Sequence, residues 1–586
     1  MRSPFAKLVC VAALASALLV GTGSAVSAAS GLPQIVVTTL ADDMVTNGNC
    51  TLREAIGAVE KQVTVDACPA GDSSTIITLP VGTITLSLGR LTIGGPTRIQ
   101  GASGGQSQIN VPLVGGDPNF KNTFTIDPAG SLSLSSVNIF GNYGSAIRND
   151  GIFSGDNVRL TANIGDNTTC TDYTCSDDGN EGAAITNYGR ASCVHCRIDH
   201  GDTDVYDPSI SAALYNSSGA VLSILDSTID NNVPSYATAV LINLGTAEIK
   251  RTIIDQNQSL PFIAYYFQGY VINSPGPLSI ESSRITSNAG FGIIQAGAAL
   301  RLSNDTVQGN IAALDATIAA NATTSVADTW IDSNQGSTGG LRSYGTLTML
   351  RSTVSSNGGG ACGESTGGLS IFGSATITNS TIDGNSGSAV GGGGICDDVV
   401  NAPAAGGIII GGAARLLNVT ITNNAVISAQ PIDNGNPDNH PKPAKAAGGL
   451  LALPGANVTM ADTIVSGNRG LYGTPDSEYV AAPDCQGAVT SNGYNLVGDI
   501  KSCGLTGGSG NITGIAATLG PLQMNGGRTP TRAPLKGSAT IDSGSPAAPG
   551  GPSIGACNVA DQRTVRRPLD GNGDGIKRCD IGAVET

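Results

Sequence analysis

The 586-residue sequence predicts an all-β chain wound as a right-handed parallel β-helix, with an N-terminal capping helix and a loop-rich C-terminal cap. The first observation behind this is a period. Segments such as Asp226-Ser-Thr-Ile-Asp-Asn-Asn232 recur, with apolar residues at −10, −8 and −3 from a final Asn. Leu132, Leu134 and Ile139 precede Asn142 in this way, as Leu278, Ile280 and Ile285 precede Asn288 and Leu300, Leu302 and Val307 precede Asn310. With Asn163, Asn232, Asn257, Asn334, Asn357, Asn385, Asn424, Asn468 and a Gly201 variant there are twelve copies. Self-similarity of this kind marks a solenoid. Offsets of two, broken by one odd step, read as two short strands separated by a bend. The second observation is an upstream pattern, as in Gly182-Ala-Ala-Ile-Thr-Asn187, Thr238-Ala-Val-Leu-Ile-Asn243 and Gly448-Gly-Leu-Leu-Ala452, which supplies a third strand per turn. The third is composition: 81 Gly, 4% aromatic and 13% charged residues suit tight coils filled by small side chains. Right-handedness follows the usual chirality of parallel crossovers.

The recurring Asn is expected at a tight corner, tolerating left-handed backbone and bonding the equivalent Asn one coil away. It reads as a structural ladder rather than a ligand row, because turn chemistry explains it. Position −5, held by Ser227, Ser283, Ser352, Ser380 or Thr463, reads as a small residue at the bend.

In chain order, residues 1–28 read as a signal peptide: Arg2 and Lys7 precede an apolar run over 8–20, and Val26-Ser27-Ala28 is a small-x-Ala cleavage site. The signal peptide predicts an extracellular or cell-surface location; no later stretch is long and apolar enough to span a bilayer, and a monomer is expected. Net charge −15, with no basic stripe, argues against nucleic acid. Setting aside Cys10, twelve cysteines remain, and an oxidising compartment favours disulfides. Sequence proximity suggests Cys50 with Cys68, Cys170 with Cys175, Cys362 with Cys396, Cys485 with Cys503, and Cys557 with Cys579.

Residues 29–100 form the expected N-terminal cap. Thr51 and Glu54 have capping-box spacing, and Leu52, Ala55, Ile56 and Val59 share a helical face, so a helix here would cover the open first coil. Arg53 and Glu54 read as stabilising residues of that cap. The stretch Cys50-Thr51-Leu52-Arg53-Glu54-Ala55 resembles the bacterial surface proteins named for a Cys-Ser-Leu-Arg-Glu-Ala (CSLREA) motif, with Thr for Ser. That resemblance implies an exported β-helix and brings no catalytic residues.

Over residues 101–480, the β-helix proper, the extra residues between repeats nearly all follow the corner Asn, so the insertions should share one flank, where repeat proteins commonly bind. Two insertions are acidic, including Asp204 and Asp207 beside Tyr206, and the next carries Phe262, Tyr265, Tyr266 and Phe267. Carboxylates beside aromatic faces could hold calcium and a sugar chain. The alternative is solvated loops with a local aromatic cluster. Cys193-Val-His-Cys196 with His200 has zinc-like spacing, but its register favours buried thiols or a local disulfide.

Enzyme motifs of β-helix polysaccharide lyases and polygalacturonases match poorly. Trp330-Ile-Asp-Ser333 has Ser where pectate lyases carry His, and fits the repeat with Ile331 inward. Arg528-Thr-Pro-Thr-Arg532 is one residue short of the lyase arginine motif, and Gly-His-Gly and Arg-Ile-Lys blocks are absent.

Residues 481–586 have a different texture: Gly493-Tyr-Asn-Leu-Val-Gly498, Leu519-Gly-Pro-Leu522, Asn525-Gly-Gly-Arg-Thr-Pro-Thr531, Ile541-Asp-Ser-Gly-Ser-Pro546 and Asp580-Ile-Gly-Ala-Val-Glu585. This order of phrases resembles the bacterial choice-of-anchor Q domain, whose members carry varied surface anchors; no sortase-like tail follows it here. Asp570, Asn572 and Asp574 alternate as in a calcium loop, with Asp580 as a distal ligand, against the reading of a plain Gly-Asp turn. The function expected from all this is adhesion or glycan binding without catalysis, with polysaccharide or a neighbouring cell surface as partner. The alternatives are a lyase or glycosidase acting on an acidic polysaccharide, and a structural spacer.

Overall fold

The structure, a computed structural model, describes residues 32–586 apart from 113–119, 143, 166–169, 172–173, 176–181, 204–210, 234–238, 260–268, 314, 361–364, 390–402, 429–444 and 472–482. It is a parallel β-helix in which each coil contributes a strand to three stacked sheets. One coil shows the plan. Val221–Leu225 lies in the first sheet, Thr228–Asp230 in the second and Ala239–Asn243 in the third. Each pairs in parallel with its counterpart one coil before and one after, as Arg190–Val194, Val221–Leu225 and Thr246–Lys250 do. The inward residues of successive coils align: Leu222, Ile224, Ile229 and Leu241 are buried, as are Leu278, Ile280, Ile285 and Ile272 further on. These are the positions the period marked as apolar.

Each bend carries a residue of positive φ. One row, at −6, holds Asp226, Arg251, Ser282, Asn304 and Asp328; the other, at −1, holds Asn231, Gln256, Ser287, Ser333 and Ser356. The expectation that the recurrent Asn itself adopts this backbone is corrected: the left-handed residue immediately precedes it. The Asn instead turns its amide inside. From Asn232 to Asn468 the side chains form an unbroken ladder, each Nδ2 donating to the next Oδ1 at 2.9–3.0 Å and each Oδ1 also accepting the preceding backbone N–H. Asp484 ends it by accepting from Asn468 at 2.9 Å. Gly201 interrupts the row upstream. A Cβ there would meet the Ala212 carbonyl at 1.8 Å, so no side chain fits, and the Nδ2 of Asn163 has no partner among the described residues.

Two further rows stitch the coils. Asn149, Asn187, Asn216 and Asn243 form a second amide ladder at 2.7 Å per step, closed by Ser274 at 2.8 Å. The −5 row accepts one backbone N–H per coil through Ser227, Thr252, Ser283, Thr329, Ser352 and Ser380. In one coil Asp305 takes the hydroxyl's place, accepting from Ser283 N at 2.8 Å and Ser303 N at 2.7 Å. Burial outweighs those donors and pushes its pKa up to about 7.

The helix Leu52–Lys61 has the predicted capping box and lies against strands Ile76–Thr78 and Pro96–Gln100 of two successive early coils. Arg53 reaches Asp42 at 2.8 and 3.0 Å and the carbonyls of Gly89 and Arg90, while Glu54 serves the box, so the two stabilise the cap separately. The disulfides Cys50–Cys68, Cys485–Cys503 and Cys557–Cys579 form as proximity suggested. Cys193 and Cys196 also join, so the zinc reading gives way to the local disulfide. The side chains of Cys170 and Cys175, and the pair Cys362 and Cys396, lie outside the described residues.

Parallel pairing extends beyond both expected boundaries of the β-helix. It begins with Gln34–Val36 on Ile76–Thr78 and ends with Ile512–Thr513 on Leu496–Val497. After that the chain turns back along the outer face of the second sheet. Ser545 N donates to Asp462, Ala583 N to Thr420 and Thr381 to Gln562; Thr353 donates to Pro530 O, and Arg532 pairs with Asp383 at 2.6 Å. The C-terminal segment therefore lies as a strap across four coils. Arg567 and Glu585, fully buried and 2.7 Å apart, tie the strap to itself.

Asn310→Ala removes the acceptor for both donors of Asn288 and the donor to Ile285 O and Asn334. The expected cost is about 2–4 kcal/mol in urea unfolding, since each buried group left unpaired costs roughly 1–3 kcal/mol. For Asp305 the linkage has a definite sign. An acid whose pKa is raised on folding stabilises the fold below its unfolded value of about 4, and that contribution declines as pH rises through about 7. Asp305→Thr, which restores the hydroxyl of the row, should raise the unfolding midpoint above neutral pH and change it little near pH ~4.

Candidate functional site

The described ends of the insertions share one flank. After the ladder Asn the chain adds short stacked strands, Ser386–Ala389 on Ala425–Ser428 and that on Arg469–Leu471. It re-enters through Ser365–Thr366, Ala404–Ala405 and Ala446–Ala447, which also stack. The ends of the inserted segments thus line up beside the outer face of the third sheet. Asp204, Tyr206, Asp207, Tyr265 and Tyr266 lie outside the described residues.

At the root of the aromatic insertion, Tyr270 opens strand Tyr270–Ser274 with its side chain on the outer face. The residue one coil on is Gly292, where a Cβ would stand 2.6 Å from the Tyr270 ring, so glycine makes room for it. Phe291 packs edge-on at 5.6 Å between centroids. The hydroxyl of Tyr270 donates to Asp315 at 2.7 Å, and the other oxygen of Asp315 accepts from Arg342 at 2.7 Å. Arg342 also donates to Ser337 at 2.6 Å, while its buried Nε has no partner among the described residues. Burial, and then the negative charge of Asp315, push the Tyr270 hydroxyl well above the usual tyrosine range. Tyr270 is therefore held as a donor.

Arg342 belongs to a row that crosses the sheet through Asn273, Gln295, Ala319 and Arg342, one per coil. At about 4.8 Å per coil this strip runs about 14 Å. Asn273 and Gln295 are half-buried, and their amides have no partner among the described residues. Apolar clusters bound the strip on the same face: Tyr215, Ala239 and Ile242 before it, Ile409 and Leu451 after it. The arrangement offers two half-buried amides and an arginine braced by the buried Tyr270 and Asp315, between buried apolar clusters. Among the described residues its carboxylate is Asp315, held by Arg342 and Tyr270.

The other sequence-predicted ligand residues lie in the C-terminal segment. Asp570 accepts from Gly573 and Gly575 N–H, and Asn572 and Asp574 accept from the residues two further on. Asp580 is buried, with its oxygens committed to Asp542 N and to Thr586. Among the described residues no group of three His, Cys, Asp or Glu side chains could hold a metal ion. The Arg528–Arg532 stretch clamps the strap, as Thr529 donates to Arg351 O and Arg532 pairs with Asp383. The sequence reading missed the Tyr270, Asp315 and Arg342 constellation. Its one linear signal was the aromatic insertion ahead of Tyr270.

Asp315→Asn removes the charge that raises the Tyr270 pKa and frees Arg342 to lower it. A difference titration against Tyr270→Phe, read by tyrosinate absorbance, should therefore show Tyr270 ionising at lower pH than in the unmodified protein.

No protein-family model matches the chain, and no curated protein does. Among solved structures it is similar to the A-module of the Azotobacter vinelandii mannuronan C-5 epimerase AlgE6, at 10% identity and TM-score 0.24, over 76% of this chain and 91% of that one. A mutant tailspike protein of E. coli bacteriophage HK620, in complex with a pentasaccharide, aligns at 11% identity and TM-score 0.30, over 75% of this chain and 72% of that one. The catalytic unit of a GH87 alpha-1,3-glucanase from Streptomyces thermodiastaticus aligns at 15% identity and TM-score 0.27, over 82% of this chain and 70% of that one.

Proposed function

We propose that the protein is an exported, non-catalytic glycan-binding β-helix acting outside the cell or at its surface, and that it holds a saccharide along the outer face of the third sheet. The observation that carries this is the strip Asn273, Gln295, Ala319, Arg342 with Tyr270 and Asp315 beside it. Free amides and an arginine suit hydroxyl-rich ligands; Tyr270 is buried beside them and holds Asp315 and Arg342 in place rather than offering its ring. Export is supported by four disulfides, which persist in oxidising compartments. Absence of catalysis is supported by Tyr270, whose raised pKa makes it a poor base, and by Asp315, already satisfied by two donors. Calcium at Asp570, Asn572 and Asp574 belongs to the same proposal, and a calcium titration that leaves the thermal midpoint unchanged would remove it.

The test is a glycan array followed by calorimetry. The double variant Asn273→Ala/Gln295→Ala should lose about tenfold in affinity, as two neutral hydrogen bonds of about 0.5–1.5 kcal/mol each imply, with its unfolding midpoint unchanged. Reducing ends or unsaturated products released from any bound polysaccharide would overturn the non-catalytic reading, and silence across the array would overturn binding.

A further inference from the structure

On a different face, the outer surface of the second sheet, stands the chain's single tryptophan. Trp330 opens strand Trp330–Asp332, and because Ile331 is turned into the core, the ring faces outward and is partly exposed. Its orientation is fixed by a relay. The indole Nε1 donates to Ser355 Oγ at 2.8 Å, and that hydroxyl donates to Asp332 Oδ1 at 2.6 Å. The second oxygen of Asp332 accepts from Gln308 and Ser333, each at 2.9 Å, so this carboxylate is saturated.

One coil further on, Thr353 occupies the same row but is buried, donating to Pro530 O of the strap at 2.6 Å. The strap thus ends in a step beside Trp330. In the opposite direction the row stays open through Thr306 and Arg284 to Ile253, which is 43% exposed. Arg284, two coils from Trp330 and so about 10 Å away, is exposed and has no partner among the described residues. Arg528, in the strap next to the Thr529 that bonds Arg351 O, is likewise exposed and unpaired. The acids around this ledge are occupied: Asp255 by Thr286, Asp328 by Arg351, Glu281 by Lys250.

The ledge thus places an exposed, unpaired guanidinium, Arg284, in the same outward row as the fixed indole of Trp330. We propose that this ledge is a second binding site, for an acidic oligosaccharide. One pyranose ring stacks on Trp330, and the carboxylate or sulfate of a neighbouring unit meets Arg284. Guanidinium donors suit such planar anionic groups, and an indole face suits the apolar face of a sugar ring. Ser355 is a positioning residue, holding the indole through its N–H.

A single tryptophan makes the test direct, because selective tryptophan excitation reads this site alone. The full chain is titrated with a tetragalacturonate, a sulfated heparin-derived tetrasaccharide and the neutral cellotetraose. The expected result is a saturable change in emission with at least one anionic probe, weakened about five- to tenfold in Arg284→Ala, weakened by added salt, and preserved in Asn273→Ala/Gln295→Ala. Which anionic probe responds separates uronate from sulfate. No response to either, an equal response to cellotetraose, or an Arg284→Ala variant that binds as well as the unmodified protein would overturn the proposal. Loss of the response in Asn273→Ala/Gln295→Ala would assign the ligand to the third-sheet strip and overturn the ledge.

Discussion

A solenoid of tight coils must satisfy, at every bend, polar groups that its own geometry buries. Here the requirement is met by side-chain amides stacked one per coil. The carbonyl of each ladder Asn accepts the backbone N–H of the coil before it, and its own amide donates both onward and back into that coil's backbone. Each link is bound on two sides, so no ladder residue is a local matter. Where the row fails, at Gly201, backbone fills the space and a donor one coil away has no partner among the described residues. That defect shows how strictly the spacing is held.

The same logic governs where the stack ends. A bare first coil would offer unpaired strand edges, and the helix Leu52–Lys61 lies against them, fixed by Arg53 to the carbonyls of Gly89 and Arg90. At the other end the chain does more than close the last coil. It returns as a strap over the second sheet and buries Thr353, Thr381 and Thr420, residues whose row is more open in earlier coils. Several of its anchors are buried carboxylates, Asp462 and Glu585 among them, whose pKa values burial pushes up to about 7.

With the interior given over to ladders and aliphatic rows, recognition is left to the outer faces. Among the described residues, the amides of Asn273 and Gln295 on the third sheet and the guanidinium of Arg284 on the second have no internal partner. In each case an aromatic residue is held nearby by a hydrogen-bond relay, Tyr270 through Asp315 to Arg342 and Trp330 through Ser355 to Asp332. Trp330 is partly exposed, and holding its ring in advance lowers the entropic cost of ordering it on binding; Tyr270 is buried and braces the strip.

The repeat, the inward apolar rows, the Asn ladder, the capping box and the disulfide between Cys50 and Cys68 were legible in the sequence alone, because each depends on neighbours or on a fixed period. The left-handed backbone was assigned one residue late, since Asn is a good candidate for both the bend and the ladder. Tyr270, Asp315 and Arg342 could not be joined on paper. They lie on three separate coils, and insertions of unequal length hide the register that brings them together. The strap was beyond reach for a similar reason: nothing local tells Thr353 that Pro530 will cover it. Composition and period determined that the chain winds; which outer residues meet, and which remain open to a ligand, was decided only when coil packing set the register.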